Sequence, residues 1–308
     1  MITTVGRWLD AGELDLPLPG SGRTLSRWSA LADLCESDVV AGRLAEAHTD
    51  AVAILAELSG PPARPGRLWG VWAAEEPDAT VRAHEDGRGV SLSGTKAWCS
   101  GAGLCSDALV TATTSAGSRG LFAVDLCGPG VQPLQSNWRN AGMAGSDTRS
   151  VRFSDAPAIP VGGPGDYLSR PGFWHGAAGV AACWLGAARA VAAPLYRAVA
   201  DKHAGDPHAA AHLGAVDAAL AGAQALLART AEHVDTAPSD DAEVAARRLR
   251  AVVERAVEEV IGRTARALGP TPLALDAAHA RHVADLTMYV RQSHAEKDLA
   301  ALGALVAR

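Results

Sequence analysis

The sequence predicts an α+β fold: a short N-terminal helical segment, a central antiparallel β-barrel or sandwich, and a C-terminal four-helix bundle. Three observations carry this expectation. Apolar residues recur at helical spacing near both ends of the chain. Between residues 68 and 161 the pattern shifts to short apolar runs punctuated by glycine and aspartate. A proline- and glycine-rich run, residues 60–66, separates the first helical stretch from those runs. The expected domains are 1–66 (a short helical domain), 67–165 (the β domain) and 166–308 (the helical bundle).

Leu25, Trp28, Leu31, Ala32 and Cys35 fall at helical spacing, as do Leu44, Val52, Leu55 and Leu58. Strands are expected at 68–72, 90–92, 108–112, 121–124 and 151–153, separated by Asp86-Gly87, Gly89, Gly94, Gly120 and Gly128-Pro129-Gly130. A sheet of that size needs helices packed on it. Beyond Pro171 helices are expected over 173–200, 208–234, 242–268 and 276–307, the last of them broken once. The acidic loop 238–241 and Gly269-Pro270 supply two of the stops. Short loops between antiparallel neighbours make a bundle.

Composition narrows the function classes. Of 308 residues 48% are hydrophobic and 20% charged, with a formal net charge of -6. That balance suits an ordinary folded protein and argues against a nucleic-acid partner, which would call for a basic face. The sequence has no uninterrupted run of eighteen apolar residues, so no membrane span is expected. Met1-Ile2-Thr3-Thr4 does not lead a basic segment into an apolar run, so no secretory signal is expected. Cys35, Cys99, Cys105, Cys127 and Cys183 are odd in number and form no CxxC, which suggests a reducing cytoplasm. The histidines are unclustered, and Glu46, His48 and Asp50 lack ligand spacing, so no metal site is expected.

Two segments stand out. One is Leu92-Ser93-Gly94-Thr95-Lys96-Ala97-Trp98-Cys99-Ser100-Gly101-Ala102. The other is Gly142-Met143-Ala144-Gly145-Ser146-Asp147-Thr148-Arg149-Ser150-Val151-Arg152-Phe153. With the order helix, barrel, bundle, they resemble the acyl-CoA dehydrogenase family. The resemblance is good over 68–308 and weak before that, where the helical domain is about half the length usual in the family.

The resemblance implies FAD, and a flavin needs a flat surface, hydrogen bonds to its ring edge and donors for its pyrophosphate. Trp98, Cys99 and Ser100 stand where the family contacts the flavin. The run from Trp69 through Trp72 and Ala74 to Glu76-Pro77 resembles its other flavin-contacting strand. Lys202 stands where an arginine normally reaches the partner subunit's pyrophosphate, keeping the charge without the bidentate fork. The family's glycine-rich loop is reduced to Leu268-Gly269-Pro270-Thr271, and proline lacks a donor N–H. Arg170-Pro171 resembles the Arg-Pro that opens the first bundle helix and faces the substrate; a solvated arginine before a helix-initial proline is the alternative.

Dehydrogenation needs a carboxylate to take the α-proton. The family's Tyr-Glu-Gly-Thr is absent. Gln292 and Ser293 fall near the expected position, and Glu296 is the carboxylate that would stand in. His294, with Asp298 one turn on, is a further alternative, and so is a plain solvated helix face. The resemblance therefore implies a flavoprotein oxidoreductase acting on CH–CH bonds of an acyl-CoA or similar acyl thioester, as a homodimer or homotetramer. The alternatives are a non-catalytic subunit beside a second family chain, and a flavin-dependent monooxygenase of the same fold.

Overall fold

In the computed structural model, residues 3–87 and 89–307 are described. The chain divides into two compact units. Unit 1 comprises residues 1–16, 44–139 and 144–173; unit 2 comprises 17–43, 140–143 and 174–308.

Unit 1 opens with helix α1 (Thr4–Asp10), capped by the Thr3 hydroxyl, which accepts from Gly6 N at 3.2 Å. It also takes most of α3 (Val39–Glu57). Then follow strands β1 (Trp69–Trp72), β2 (Val81–Asp86), β3 (Gly89–Cys99), β4 (Asp107–Thr113), β5 (Arg119–Asp125), β6 (Val131–Pro133) and β7 (Arg149–Pro160). They form one seven-stranded sheet that closes on itself. The β2–β3, β3–β7, β7–β5 and β5–β4 pairings are antiparallel. The remaining edge of β4 is shared: Arg82 of β2 meets Thr113, and Trp69–Trp72 run parallel to residues 107–110. The expected barrel is therefore present, with a parallel β1–β4 seam inside a mainly antiparallel sheet.

Strand β4 is buried on both faces, which is why it reads as an unbroken apolar run. Ala108, Val110 and Ala112 line the barrel interior with Trp72, Leu92, Phe122, Val151 and Phe153. Leu109 faces the other way, joining Leu121, Ala123 and Trp69 against Ala51, Ile54 and Leu55 of α3. Strands β2 and β6 are not among the apolar runs picked out in the sequence. β2 carries only Val81 and Ala83 inward and shows charged side chains outward, and β6 is three residues long.

Unit 2 takes helices α2 (Thr24–Ser37), α5 (Gly172–Ala200) from Trp174 onward, α6 (Pro207–Thr236), α7 (Glu243–Leu268), α8 (Thr271–Leu275), α9 (Ala277–Tyr289) and α10 (Glu296–Val306); the four-residue helix α4 (Asp166–Ser169) belongs to unit 1. The last expected helix is indeed broken, by a 3-10 turn at Val290–Gln292 and the extended Ser293. Helix α8 fills the gap after Gly269-Pro270, where a loop was expected. The apolar stripes Val216-Leu220-Ala223-Leu227 of α6 and Leu249-Val253-Val257-Val260 of α7 are fully or nearly fully buried. α2 and α5 approach so closely that a Cβ on Gly186 would overlap the Ala32 carbonyl. The Asp235 carboxylate at the end of α6 accepts from Gly22 N, Thr24 N and Thr24 Oγ1 at 3.0, 2.9 and 2.6 Å, closing the start of α2.

By length and mean hydropathy over eighteen residues, α5 and α6 each reach what a membrane span requires; 72% of the α5 window and 17% of the α6 window are buried. The sequence expectation rested on unbroken apolar runs, which His175, Arg189 and Asp217 interrupt. No disulfide links the five cysteines, and Cys127 is the one of them that is exposed.

Candidate functional site

The local origin of the site is a bulge. After an earlier shift between Leu92 and Gly94, β3 and β7 pair in register from Gly94–Phe153 through Lys96–Val151, then slip again, so that Ala97 and Trp98 stand against one residue of β7 before Cys99 pairs with Arg149. Trp98 takes φ +59°, a conformation uncommon for a bulky side chain, and the residue is 51% exposed. Its Nε1 donates to Glu76 Oε1 at 2.6 Å, and its ring meets Trp138 edge to face at 6.3 Å.

Next to the bulge the backbone is fixed by side chains. Trp72, buried in the barrel, donates Nε1 to the Ser100 carbonyl at 3.0 Å. Ser100 Oγ shares a hydrogen bond with Thr148 at 3.0 Å, and Thr148 with Ser146 at 2.8 Å. Gly101 N and Ala102 N donate to the carbonyls of Ser146 and Asp147, tying the two signature segments together. The Asp147 carboxylate accepts from Gly103 N at 2.8 Å and pairs with Arg149 at 2.6 Å. Ala74, exposed just past β1, has no backbone hydrogen-bond partner among the described residues, so its N–H is available to a ligand. Cys99 is fully buried and burial pushes its thiol up, which makes it an inert packing residue.

Under the bulge lies a buried amine. Lys96 Nζ, 1% exposed, donates to Glu75 Oε1 and Thr111 Oγ1 at 2.8 Å and to the Thr111 carbonyl at 3.2 Å. Burial pulls the Lys96 amine down, opposed by the Glu75 carboxylate. Burial alone would raise Glu75, but hydrogen bonds from Lys96 and Thr111 outweigh it and hold the carboxyl below its ordinary value. The pair is an ion pair in which Glu75 is firmly ionised.

Trp72, Ala74, Trp98, Cys99 and Ser100 thus gather in unit 1. Arg170 is in the same unit but is not solvated: it is 6% exposed, pairs with Glu57 at 2.6 Å and lies over the Tyr167 ring at 5.5 Å. Glu57 also accepts from Gly172 N at 3.0 Å, so one carboxylate serves both Arg170 and the start of α5.

Lys202 and Glu296 belong to unit 2. Lys202 is exposed in the turn after α5, and Glu296 is exposed in the first turn of α10. His294 is 73% exposed; its Nδ1 lies 3.7 Å from Asp298, which also accepts from its backbone N at 3.1 Å. Asp298 is shared with Arg247 at 3.1 Å, so it anchors α10 as well. Ser293 donates to Glu254 at 2.6 Å beside a cavity of about 30 Å3 lined by Trp174, Arg247, Arg250 and Asp298, room for about one water. Asp285, buried in α9, accepts from Met143 N at 2.5 Å, and burial raises its carboxyl. Sequence reading had singled out neither Asp285, Glu254 nor Trp138. An adjacent aromatic and carboxylate, such as Glu76 with Trp98, is visible only once the bulge is folded.

No family model and no curated sequence matches this chain. Solved structures do. Butyryl-CoA dehydrogenase from Megasphaera elsdenii superposes with a TM-score of 0.84 at 17% identity, over 99% of this chain and 89% of that one. Methanesulfinate monooxygenase from Pseudomonas fluorescens gives 0.81 at 20% identity, over 96% and 87%. Dibenzothiophene monooxygenase from Paenibacillus sp. A11-2 gives 0.78 at 21%, over 90% and 82%, and has also been solved with FMN and with indole. The chain therefore has the acyl-CoA dehydrogenase fold, in a form far diverged in sequence, and that fold also serves monooxygenases. The likeness extends through the N-terminal helices, where sequence resemblance was weak.

Proposed function

We propose that the chain is a flavin-binding oxidoreductase acting on a CH–CH bond of an acyl-CoA or similar acyl thioester, in a reducing cytoplasm. The observation that carries this is the Trp98 bulge: an exposed, hydrogen-bonded indole face beside the Ser100 hydroxyl and the unpaired Ala74 N–H. Those three meet a flavin's need for a flat surface and ring-edge partners. Trp72 supports the bulge from below, and Cys99 packs it.

Bound flavin, FAD in this reading, supplies the two-electron acceptor. FMN is the alternative, since the Paenibacillus enzyme holds it. Lys202 provides a cation for the phosphates, reaching a second copy in a homodimer or homotetramer built through 166–308. Residues 67–165 carry the flavin platform, and the short helical domain 1–66 supplies less of a substrate wall than the longer one usual in the family. Arg170 orients the substrate's polar head through its fixed pairing with Glu57. Glu296 takes the α-proton. If turnover of an acyl-CoA survives Glu296→Gln, Glu296 is not the base.

A second reading is oxygen chemistry on the same fold. It is favoured by Gln292 and Ser293, which offer no carboxylate near the position expected for the base, and by the two monooxygenase likenesses. Hydroxylated product formed with a supplied flavin reductase, and no acyl-CoA oxidation, would select it. A chain that takes up flavin only beside a second subunit of this fold would instead mark a non-catalytic partner.

A further inference from the structure

We propose that helix α10 is a hinged strap, pivoting at Ala295 and latched onto α7 by the pairing of Asp298 with Arg247.

The hinge is visible in the backbone. Ser293 is extended, and His294 to Lys297 form a tight turn closed by Lys297 N, which donates to the His294 carbonyl at 3.1 Å. Ala295 stands second in that turn at φ +47°, ψ -115°. Glycine takes this conformation without strain, whereas the alanine methyl is crowded in it, so opening the turn relieves the residue.

The strap itself is lightly held. Every residue of α10 is at least partly exposed, Leu299 at 45% and Val306 at 50%. A helix of 11 residues is marginal by itself in water, so α10 depends on what it docks against. Arg247 supplies the latch. Its guanidinium lies over the Trp174 ring at 4.6 Å, gives Nε to Glu243 at 2.7 Å on its own helix, and gives Nη1 to Asp298 of α10 at 3.1 Å. The arginine is thus fixed from α5 and α7, and Asp298 is the moving partner. Their side chains are 15% and 31% exposed, which makes the pair firmer than a surface pair and still separable. Ser293, bonded to Glu254 of α7, is the fixed side of the pivot. Ala295 and Leu299 line the same small cavity as Trp174 and Ala251, so the seam under the strap is incompletely packed. Glu296 rides on the first turn of the strap. Closure therefore decides where that carboxylate stands, a consequence that rests on the reading of Glu296 as base; the hinge and the latch do not rest on it.

Hydrogen–deuterium exchange of the full chain, read by mass spectrometry under native conditions, tests the strap. Amides of residues 297–306 should exchange at least about tenfold faster than those of 253–260 in α7, and more slowly than an unstructured segment. Arg247→Met keeps the stem against Trp174 and removes the latch from the α7 side; it should speed α10 by about 3- to 10-fold while 253–260 stays within about twofold. Asp298→Asn should act in the same direction, and the double variant should add little. Ala295→Gly should slow α10 by about threefold, because the closed hinge is then unstrained. If Arg247→Met loosens 253–260 as well, Ala295→Gly decides. The proposal is overturned if α10 is protected as long as α7, if it exchanges as an unstructured segment in the natural chain, if Arg247→Met leaves it within about twofold, or if Ala295→Gly leaves it unchanged or speeds it. The readout uses neither turnover nor flavin, so loss of the strap leaves the proposed function standing, and turnover that survives Glu296→Gln leaves the strap standing.

Discussion

Glu75→Ala should destabilise the barrel out of proportion to an ordinary half-exposed glutamate. The reason is Lys96, whose ammonium is 1% exposed and has one charged acceptor, Glu75, with the two Thr111 oxygens as neutral ones. Removing one partner of a buried ion pair costs about 3–5 kcal/mol, because the other charge stays behind in low dielectric. Glu75 is 36% exposed and water can take part of its place, so the expected loss falls to about 2–3 kcal/mol. At roughly 2–4 °C per kcal/mol, the melting temperature should drop by roughly 4–12 °C. Lys96→Met should cost less, and the double variant should be more stable than Glu75→Ala alone, since it removes the stranded charge. Thermal and urea unfolding of the four proteins closes the cycle. Strict additivity, or a Glu75→Ala loss within the range of a surface pair, would refute the buried-amine argument.

Acid sensitivity follows from the same pair. Glu75 and Asp125 are both held below their ordinary values, 4.5 and 3.8, the first by Lys96 and Thr111 against burial, the second by Arg67. The unfolded chain therefore binds protons first as pH falls, and stability present above pH 4.5 should be lost progressively below it. A melting-temperature profile should show that decline, and Glu75→Gln should flatten it. In unit 2, Gly186→Ala should destabilise by about 1–3 kcal/mol, since the new methyl meets backbone that cannot yield as a side chain would; a urea midpoint equal to the natural chain's would contradict the close α2–α5 approach.

The bundle helices and their stops were legible because each signal is local: caps at Asp206 and Asp276, glycine at 269, and apolar periodicity in between. β4 and β5 were legible because burial on both faces or most of their length leaves continuous apolar runs. β2 was hidden because its inner face is just Val81 and Ala83, and the β1–β4 parallel seam because pairing across the β2–β3 hairpin is set by the fold, not by either strand. At the site, the motif residues are brought together around one bulge. What they do there depends on the register slip after Lys96, on Trp138 arriving from an irregular segment, and on Glu75 meeting a lysine that in sequence reads as a surface strand residue. None of these is encoded at short range.

The central claim is that the Trp98 bulge holds a flavin. The most direct measurement is the visible spectrum of the purified chain after incubation with excess FAD or FMN and removal of the unbound fraction. The account predicts flavin absorption at about one flavin per subunit, with Trp98→Ala retaining markedly less. A colourless chain under both conditions, with its circular dichroism intact, would contradict it.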